Sequence, residues 1–181
     1  MLEEVLIDDI TIKMIDMKQA GEMYDFVKRN REFFINWIPF ISKIHNLNDM
    51  NTFIRKNLEK YIDGFGLFYT LWDNDKMIGY VLAPNIDPIA KWAEIGYMID
   101  EKYIGRGIIK AFSKKIIKYL FDSYGMNKVV ICCAEENKGS RGLAEKFGFK
   151  LEGKLRQDIV INGTVRNSLH YGLLKEEYEN N

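Results

Sequence analysis

Two cysteines, two histidines and three prolines are all that this sequence of 181 residues contains of those types. Cys132 and Cys133 are adjacent inside an apolar run. On a strand their side chains leave on opposite faces, which excludes an ordinary disulfide or a metal site built on both, and they read as two buried thiols. His45 and His170 lie far apart with no cysteine or carboxylate at ligand spacing, so zinc has no support. Net charge is absent too, since Lys+Arg and Asp+Glu both total 26. That leaves no global field to draw nucleic acid or an anionic membrane, and any anionic ligand must be held locally. No apolar run approaches the roughly 20 residues of a membrane helix, and the N-terminal stretch MLEEVLIDDITIK lacks the basic and apolar regions of a signal peptide. A cytoplasmic protein is expected.

What is present is the make-up of a globular domain, 47% hydrophobic and 29% charged, without repeats, low-complexity tracts or a flexible linker. Residues 1–181 therefore read as a single domain. LIDDITIKMI alternates as a first strand, and Asp16 with Gln19 has the spacing of a capping box that opens a helix running to about Asn30. REFFINWIPF breaks at Pro39. From Asn48 the residues Met50, Phe53, Ile54, Leu58, Tyr61 and Ile62 recur at helical spacing until Gly64 and Gly66. LFYTLW and MIGYVLA flank a turn at Asp73-Asn74-Asp75, and WAEIGYMI is a further strand. Its alternation puts Ala93, Ile95, Tyr97 and Ile99 on one face and Glu94, Gly96 and Met98 on the other.

YIGRGI then leads into a helix with Ile108, Ile109, Phe112, Ile116, Ile117, Leu120 and Phe121 on its apolar side. KVVICCA, rich in β-branched residues, reads as a strand covered on both faces. A short helix from about Asn137 to Phe147 follows, with Gly148 suited to its end. A hairpin turns at Asn162-Gly163. The order βααβββαβαββ makes an α/β domain with a mixed sheet.

Three features could carry chemistry, and each has a plain structural alternative. Gly105-Arg106-Gly107 stands between a strand and a helix start, where free amides bind phosphate, or is a structural turn. It matches neither the P-loop nor the G-x-G-x-x-G fingerprint, position 110 being Lys. Glu94, mid-strand beside Gly96, is either a solvent-facing edge residue or, in a cleft, a base whose pKa desolvation would raise. Asn137 and Ser140 open a helix after an apolar strand, which suits a helix cap or the rim of a ligand crevice.

Together these strings resemble the GNAT superfamily of acyl-CoA N-acyltransferases, in particular its RimJ/RimL-type branch, which includes ribosomal-protein N-terminal acetyltransferases. NREFFINWIPF is similar to the branch's N-terminal helix signature, AEIGYMI to its central strand and YIGRGI to its pyrophosphate loop. ENKGSRGLAEKFGFKLEG resembles its second cofactor motif and LRQDIVINGTVRNSLHYGLLKEEY its closing hairpin, so the likeness runs from about Ile10 to Tyr178.

The resemblance implies a mostly antiparallel sheet with splayed central strands flanked by helices, and acetyl-CoA as cosubstrate without a metal. The acetyl group would pass to a primary amine by direct attack in a ternary complex, the first candidate acceptor being a protein N-terminal α-amine. It implies that Met98 and Ile99 pair with the pantetheine arm and that the Met98 amide stabilises the oxyanion. The backbone of Ile104, Gly105, Arg106, Gly107, Ile108 and Ile109 would hold the pyrophosphate, and Asn137 and Ser140 would contact the cofactor. Glu94 would serve as general base. The chain departs from the pattern at Ile104 and Ile109, and at Ala144, where many members carry the tyrosine that protonates the thiolate. Ser140 is the substitute. Where the branch often has a Glu before the hairpin turn, this chain has Ile159, with Asp158 adjacent and expected to face the other way.

Phe33, Phe34, Trp37 and Phe40 either line an acceptor groove or are core, with Phe33 and Trp37 the chosen substrate residues. Rival readings are acetylation of a small amine such as a polyamine, amino sugar or antibiotic, a catalytically silent acyl-CoA-binding module, and nucleotide binding through the glycine loop. A homodimer through the exposed edges of the closing hairpin is expected, and neither nucleic acid nor membrane as a partner.

Overall fold

The computed structural model describes residues 3–7 and 9–180. Its strands are β1 (Glu3–Ile7), β2 (Ile10–Met14), β3 (Leu67–Asp73), β4 (Lys76–Asp87), β5 (Trp92–Ile99), β6 (Lys128–Ala134), β7 (Lys150–Ile161) and β8 (Thr164–Leu174). The helices are α1 (Ala20–Arg29), α2 (Arg31–Phe34), α3 (Leu47–Ile62), α4 (Ile108–Asp122), α5 (Lys138–Lys146) and α6 (Lys175–Glu179), with 3-10 turns at Met17–Gln19, Pro39–Lys43 and Glu101–Tyr103.

The strands form one sheet in the order β1-β2-β3-β4-β5-β6-β8-β7. Its neighbours are antiparallel except β5 and β6, which run parallel. A parallel pair needs a crossover, and α4 supplies it. That helix buries Ile108, Phe112, Ile116, Ile117, Leu120 and Phe121 on one face of the sheet, beside Ala93, Ile95, Val129 and Ile131. The opposite face is covered over its first half by α1 and α3, through Met23, Phe26, Val27, Met50 and Ile54 packed on Phe68, Tyr80 and Met98. Each side chain so removed from water contributes roughly 1.5–3 kcal/mol.

Several expectations are corrected. The first strand is a hairpin, with Ile7 opposite Ile10 in the pairing of β1 and β2; Asp8, within the expected strand, lies outside the described residues. Asp16 does cap, accepting from the amides of Lys18 and Gln19, but the Gln19 side chain donates to the Met14 carbonyl (2.9 Å) and leaves the box half formed. A complete box sits instead at the start of α3, where Asn46 and Asp49 exchange bonds. In β6 only Val129, Ile131, Cys133 and Ala134 are buried, while Lys128, Val130 and Cys132 are half-buried. The strand is therefore covered fully on one face, and the other face opens on a cleft.

Candidate active site

The pairing of β5 with β6 covers three residues: Trp92 with Lys128, Ala93 with Val129 and Glu94 with Val130. Beyond Glu94 the strands part, although β5 remains paired with β4 and β6 with β8. Residues 95–99 and 131–134 thus edge a V-shaped gap in mid-sheet, where backbone groups have no strand across from them.

Register decides which groups face that gap. The Asp100 amide donates to the Ile78 carbonyl (2.7 Å), one step beyond the pairs Gly79 with Ile99 and Tyr80 with Met98. Hydrogen-bonded pairs recur every second residue in an antiparallel ladder. The Met98 amide consequently belongs to the β4 side, and the amides of Tyr97 and Ile99 turn toward the gap. This corrects the assignment of Met98 as oxyanion donor. Its side chain is also withdrawn, buried with its sulfur against the Tyr80 hydroxyl.

The loop after β5 is built to present amides. Gly105 and Gly107 adopt φ of 84° and 77°, a region costly to residues with a Cβ. Gly107 ends the loop as the cap of α4 without a side-chain bond, and the first helical amide to be satisfied after it is that of Ala111, on the Gly107 carbonyl. The amides of Ile108, Ile109 and Lys110 are then first-turn donors without a helical acceptor, and the helix dipole favours an anion there. The Ile108 side chain is buried in the core, leaving only its backbone to the loop, and Ile104 is exposed. Arg106 stacks over Tyr103, whose hydroxyl donates to Asp73 (2.6 Å). The loop is anchored by buried Asp100, which accepts from the Lys102 amide and pairs with Arg29.

Across the gap, Asn137 caps α5, its Oδ1 accepting from the Ser140 amide (3.1 Å). The Ser140 hydroxyl lies 2.9 Å from the Tyr97 hydroxyl. Burial pushes the Tyr97 phenol up to about 12, against the opposing effect of its bond to Ser140. Tyr97 went unnoticed in the sequence because its alternation marks it as core. Ala144, at the position of the missing family tyrosine, is fully buried.

On the opposite face of the sheet, Glu94 accepts from Asn85 Nδ2 (2.8 Å), and Asn85 in turn accepts from Lys60 (3.4 Å). A cavity of about 410 Å³ opens beside it, lined by Ile38, Phe40, Phe53, Tyr80, Leu82 and Gly96 among others. Phe40 and Phe53 stack at 4.3 Å in its wall. The expected substrate residues Phe33 and Trp37 do not line it: Phe33 leans on buried Phe34, and the chain bends between Trp37 and Pro39 so that Ile38, Pro39 and Phe40 reach the cavity instead. The same open face holds a cluster the sequence reading missed. Cys132 is not a fully buried thiol but contacts His170, and Asp158, expected to face away, bonds to Ser168 beside them.

Residues 10–150 match the family model described as an acetyltransferase (GNAT) domain. The chain belongs to the GNAT acetyltransferase family. Among relatives of this GNAT protein, YdaF of Bacillus subtilis, which carries a provisional name as a ribosomal N-acetyltransferase, is 32% identical over 95% of this chain and 94% of its own. The ribosomal-protein-serine acetyltransferase of Escherichia coli is 29% identical over 86% and 87% of the two chains. Among solved structures, the microcin C7 self-immunity acetyltransferase MccE, in complex with acetyl-CoA and AMP, superposes with a TM-score of 0.87 at 28% identity, covering 93% and 94%. The RimL ribosomal L7/L12 acetyltransferase, determined with coenzyme A disulfide-linked to a cysteine, shares the fold with a TM-score of 0.90 at 20% identity, covering 97% and 99%. The protein is an acetyl-CoA-dependent N-acetyltransferase. No helix of the described residues is long and apolar enough to cross a membrane.

Proposed function

We propose that this GNAT protein acetylates the N-terminal α-amine of a protein, of the ribosomal-protein type, by direct attack of the amine on the thioester. The observation that carries the reading is the opening beside Glu94. An apolar cavity with stacked aromatic walls suits the first side chains of a peptide, and Glu94, on the same face of β5 two residues before the lining Gly96, suits the ammonium that precedes them. The relatives that act on ribosomal proteins support the same acceptor.

In this account the amides at the start of α4 hold the cofactor pyrophosphate, and the pantetheine arm enters the gap between β5 and β6. The gap-facing amides of Tyr97 and Ile99 receive the thioester carbonyl and its developing oxyanion, a role worth about 3–4 kcal/mol where measured for single donors. Glu94 accepts the proton of the ammonium. Ser140, with Tyr97 behind it, returns a proton to the departing thiolate. Asn137 serves both as cap of α5 and as a cofactor contact through its free Nδ2. The setting is cytoplasmic, and the protein is a homodimer through the edge strand β7, where Leu151 and Val160 are more than half exposed.

The test is thiol release from acetyl-CoA with a panel of N-terminal peptides, spermidine and an amino sugar. Turnover with peptides, acetylated at the α-amine, is the expected result. Turnover with small amines alone overturns it.

A further inference from the structure

The cavity beside Glu94 is apolar over most of its wall, but α3 lends it charge of one sign. Phe53, Lys56, Asn57 and Lys60 line it from a single stripe of that helix, at the i, i+3, i+4, i+7 spacing that puts residues on one face. Among the described residues the lining holds these two lysines and no carboxylate. Glu59 and Asp63, which follow the two lysines by three positions each, lie outside it.

The two lysines differ in their surroundings. Lys60 Nζ donates to the Pro84 carbonyl (2.6 Å) and to Asn85 Oδ1 (3.4 Å), and Asn85 Nδ2 donates to Glu94 (2.8 Å). Cation, amide and carboxylate are joined in that order, each atom of the amide facing the charge that suits it. Lys60 is thereby engaged at the Glu94 end of the cavity. Lys56 is exposed, and among the described residues no hydrogen bond or ion pair holds its ammonium. It stands one turn back along α3, about 6 Å from Lys60 on the helix axis, toward the stack of Phe40 on Phe53. Like charges one turn apart repel, and an anion on Lys56 relieves that repulsion. Against an apolar wall such a pair is screened less than in open water.

We propose that Lys56 selects the acceptor, pairing with an aspartate or glutamate at the second or third position of the peptide whose α-amine enters beside Glu94. The inference rests on the reading that the acceptor is a protein N-terminal α-amine. An extended chain advances about 3.3–3.6 Å per residue, so with the ammonium at Glu94 the second and third side chains pass the turn of α3 that carries Lys56. The carboxylate meets the Lys56 ammonium there, and the apolar wall takes the neighbouring side chain. The same arrangement disfavours a polyamine, whose further cationic centres would be brought against Lys56 and Lys60 with no carboxylate in the described lining to receive them. The chain has no net charge to draw an acidic segment from a distance, so the selection is made by contact within the cavity. An ion pair made equally in the ground state and the transition state lowers KM and leaves kcat as it is.

The test is kcat and KM, at saturating acetyl-CoA, for pairs of short peptides that differ only in Glu against Gln at the second or the third position. The wild type should favour the Glu peptide of at least one pair by about three- to tenfold, through KM, and the preference should shrink between about 50 mM and about 500 mM salt. Lys56 is exposed, so substitutions there retain the fold. Lys56→Arg should keep the preference, Lys56→Gln should bring the ratio to about one, and Lys56→Glu should invert it and favour a peptide with Lys at the same position. Equal use of Glu and Gln peptides by the wild type, or a preference that survives in Lys56→Gln and Lys56→Glu, overturns the selection while peptide turnover upholds the α-amine reading. Weaker coenzyme A binding by Lys56→Gln would put the lysine on the cofactor, and overturns the selection as well. Turnover of spermidine and of no peptide defeats the α-amine reading itself, and the selection with it.

Discussion

The Tyr97 hydroxyl lies 2.9 Å from Ser140 Oγ, joining β5 to α5 across the mouth of the gap. Both are half-buried, and Tyr97 packs against the core, so in the proposed mechanism the serine is the member that meets a thiolate leaving through the gap, with the phenol behind it as proton source. Ser140→Ala and Tyr97→Phe should each lower kcat by about 10²-fold, the lower end of general acid catalysis. Affinity for coenzyme A should change by less than about threefold, since in this account most of the cofactor is held by the backbone amides of the gap and of the start of α4. Steady-state kinetics beside calorimetric binding checks both; equal losses in kcat and in binding would mean that the pair only shapes the pocket.

Glu94 stands two residues before Gly96 of the cavity lining, on the same face of β5, and is held by Asn85 rather than by a cation. Glu94→Gln should reduce kcat/KM by about 10²- to 10³-fold at pH 7 and by much less above pH 9, where the acceptor is already deprotonated. A half-exposed, isosteric change of this kind should leave stability within about 0.5 kcal/mol. Kinetics across pH with a denaturant titration at pH 7 tests the pair of statements.

Gly96 forms part of the cavity lining, and a Cβ placed on it would meet nothing within 4 Å. A larger side chain there enters free space instead of the core. Gly96→Leu should therefore fold normally, bind coenzyme A as before and raise KM for a peptide acceptor about tenfold or more by filling its subsite. An unchanged KM would move the acceptor elsewhere.

Asp100 ties the end of β5 to α1. Burial on its own raises its pKa, but the Lys102 amide, Asn30 and Arg29 outweigh burial and hold the carboxyl below the usual value. A group whose folded pKa is depressed stabilises above its unfolded pKa, near 3.9, and that contribution is lost as pH falls through the lower folded value. Asp100→Asn should be less stable than wild type at pH 7, and the difference should close on acidification below about pH 4. Urea melts at several pH values read this directly.

Elements whose periodicity comes from a single face were legible in the sequence: β5, α4, α5 and the β7–β8 hairpin at Asn162-Gly163 fall where the pattern puts them. The glycine loop was legible as well, because positive φ at Gly105 and Gly107 demands that residue type. What escaped depends on register. Side-chain alternation places Met98 on the Glu94 face but says nothing of its amide, which the pairing with Tyr80 assigns to β4. His170 and Cys132 meet only because β8 pairs with β6 in one register, and Asp158 joins them only through a bulge that alternation does not foresee. Phe33 and Trp37 fall outside the cavity lining because the chain bends before Pro39 and brings Ile38, Pro39 and Phe40 to it instead.

The central claim is that acetyl-CoA occupies the gap between β5 and β6 with its pyrophosphate on the start of α4. Amide hydrogen exchange by NMR, with and without coenzyme A, tests it residue by residue. Coenzyme A should slow exchange at Tyr97 and Ile99 and at Ile108, Ile109 and Lys110, while Met98, already bonded within the β4 ladder, should be slow in both states. Protection that leaves Tyr97 and Ile99 unchanged, or that appears at Met98 on binding, would contradict the account.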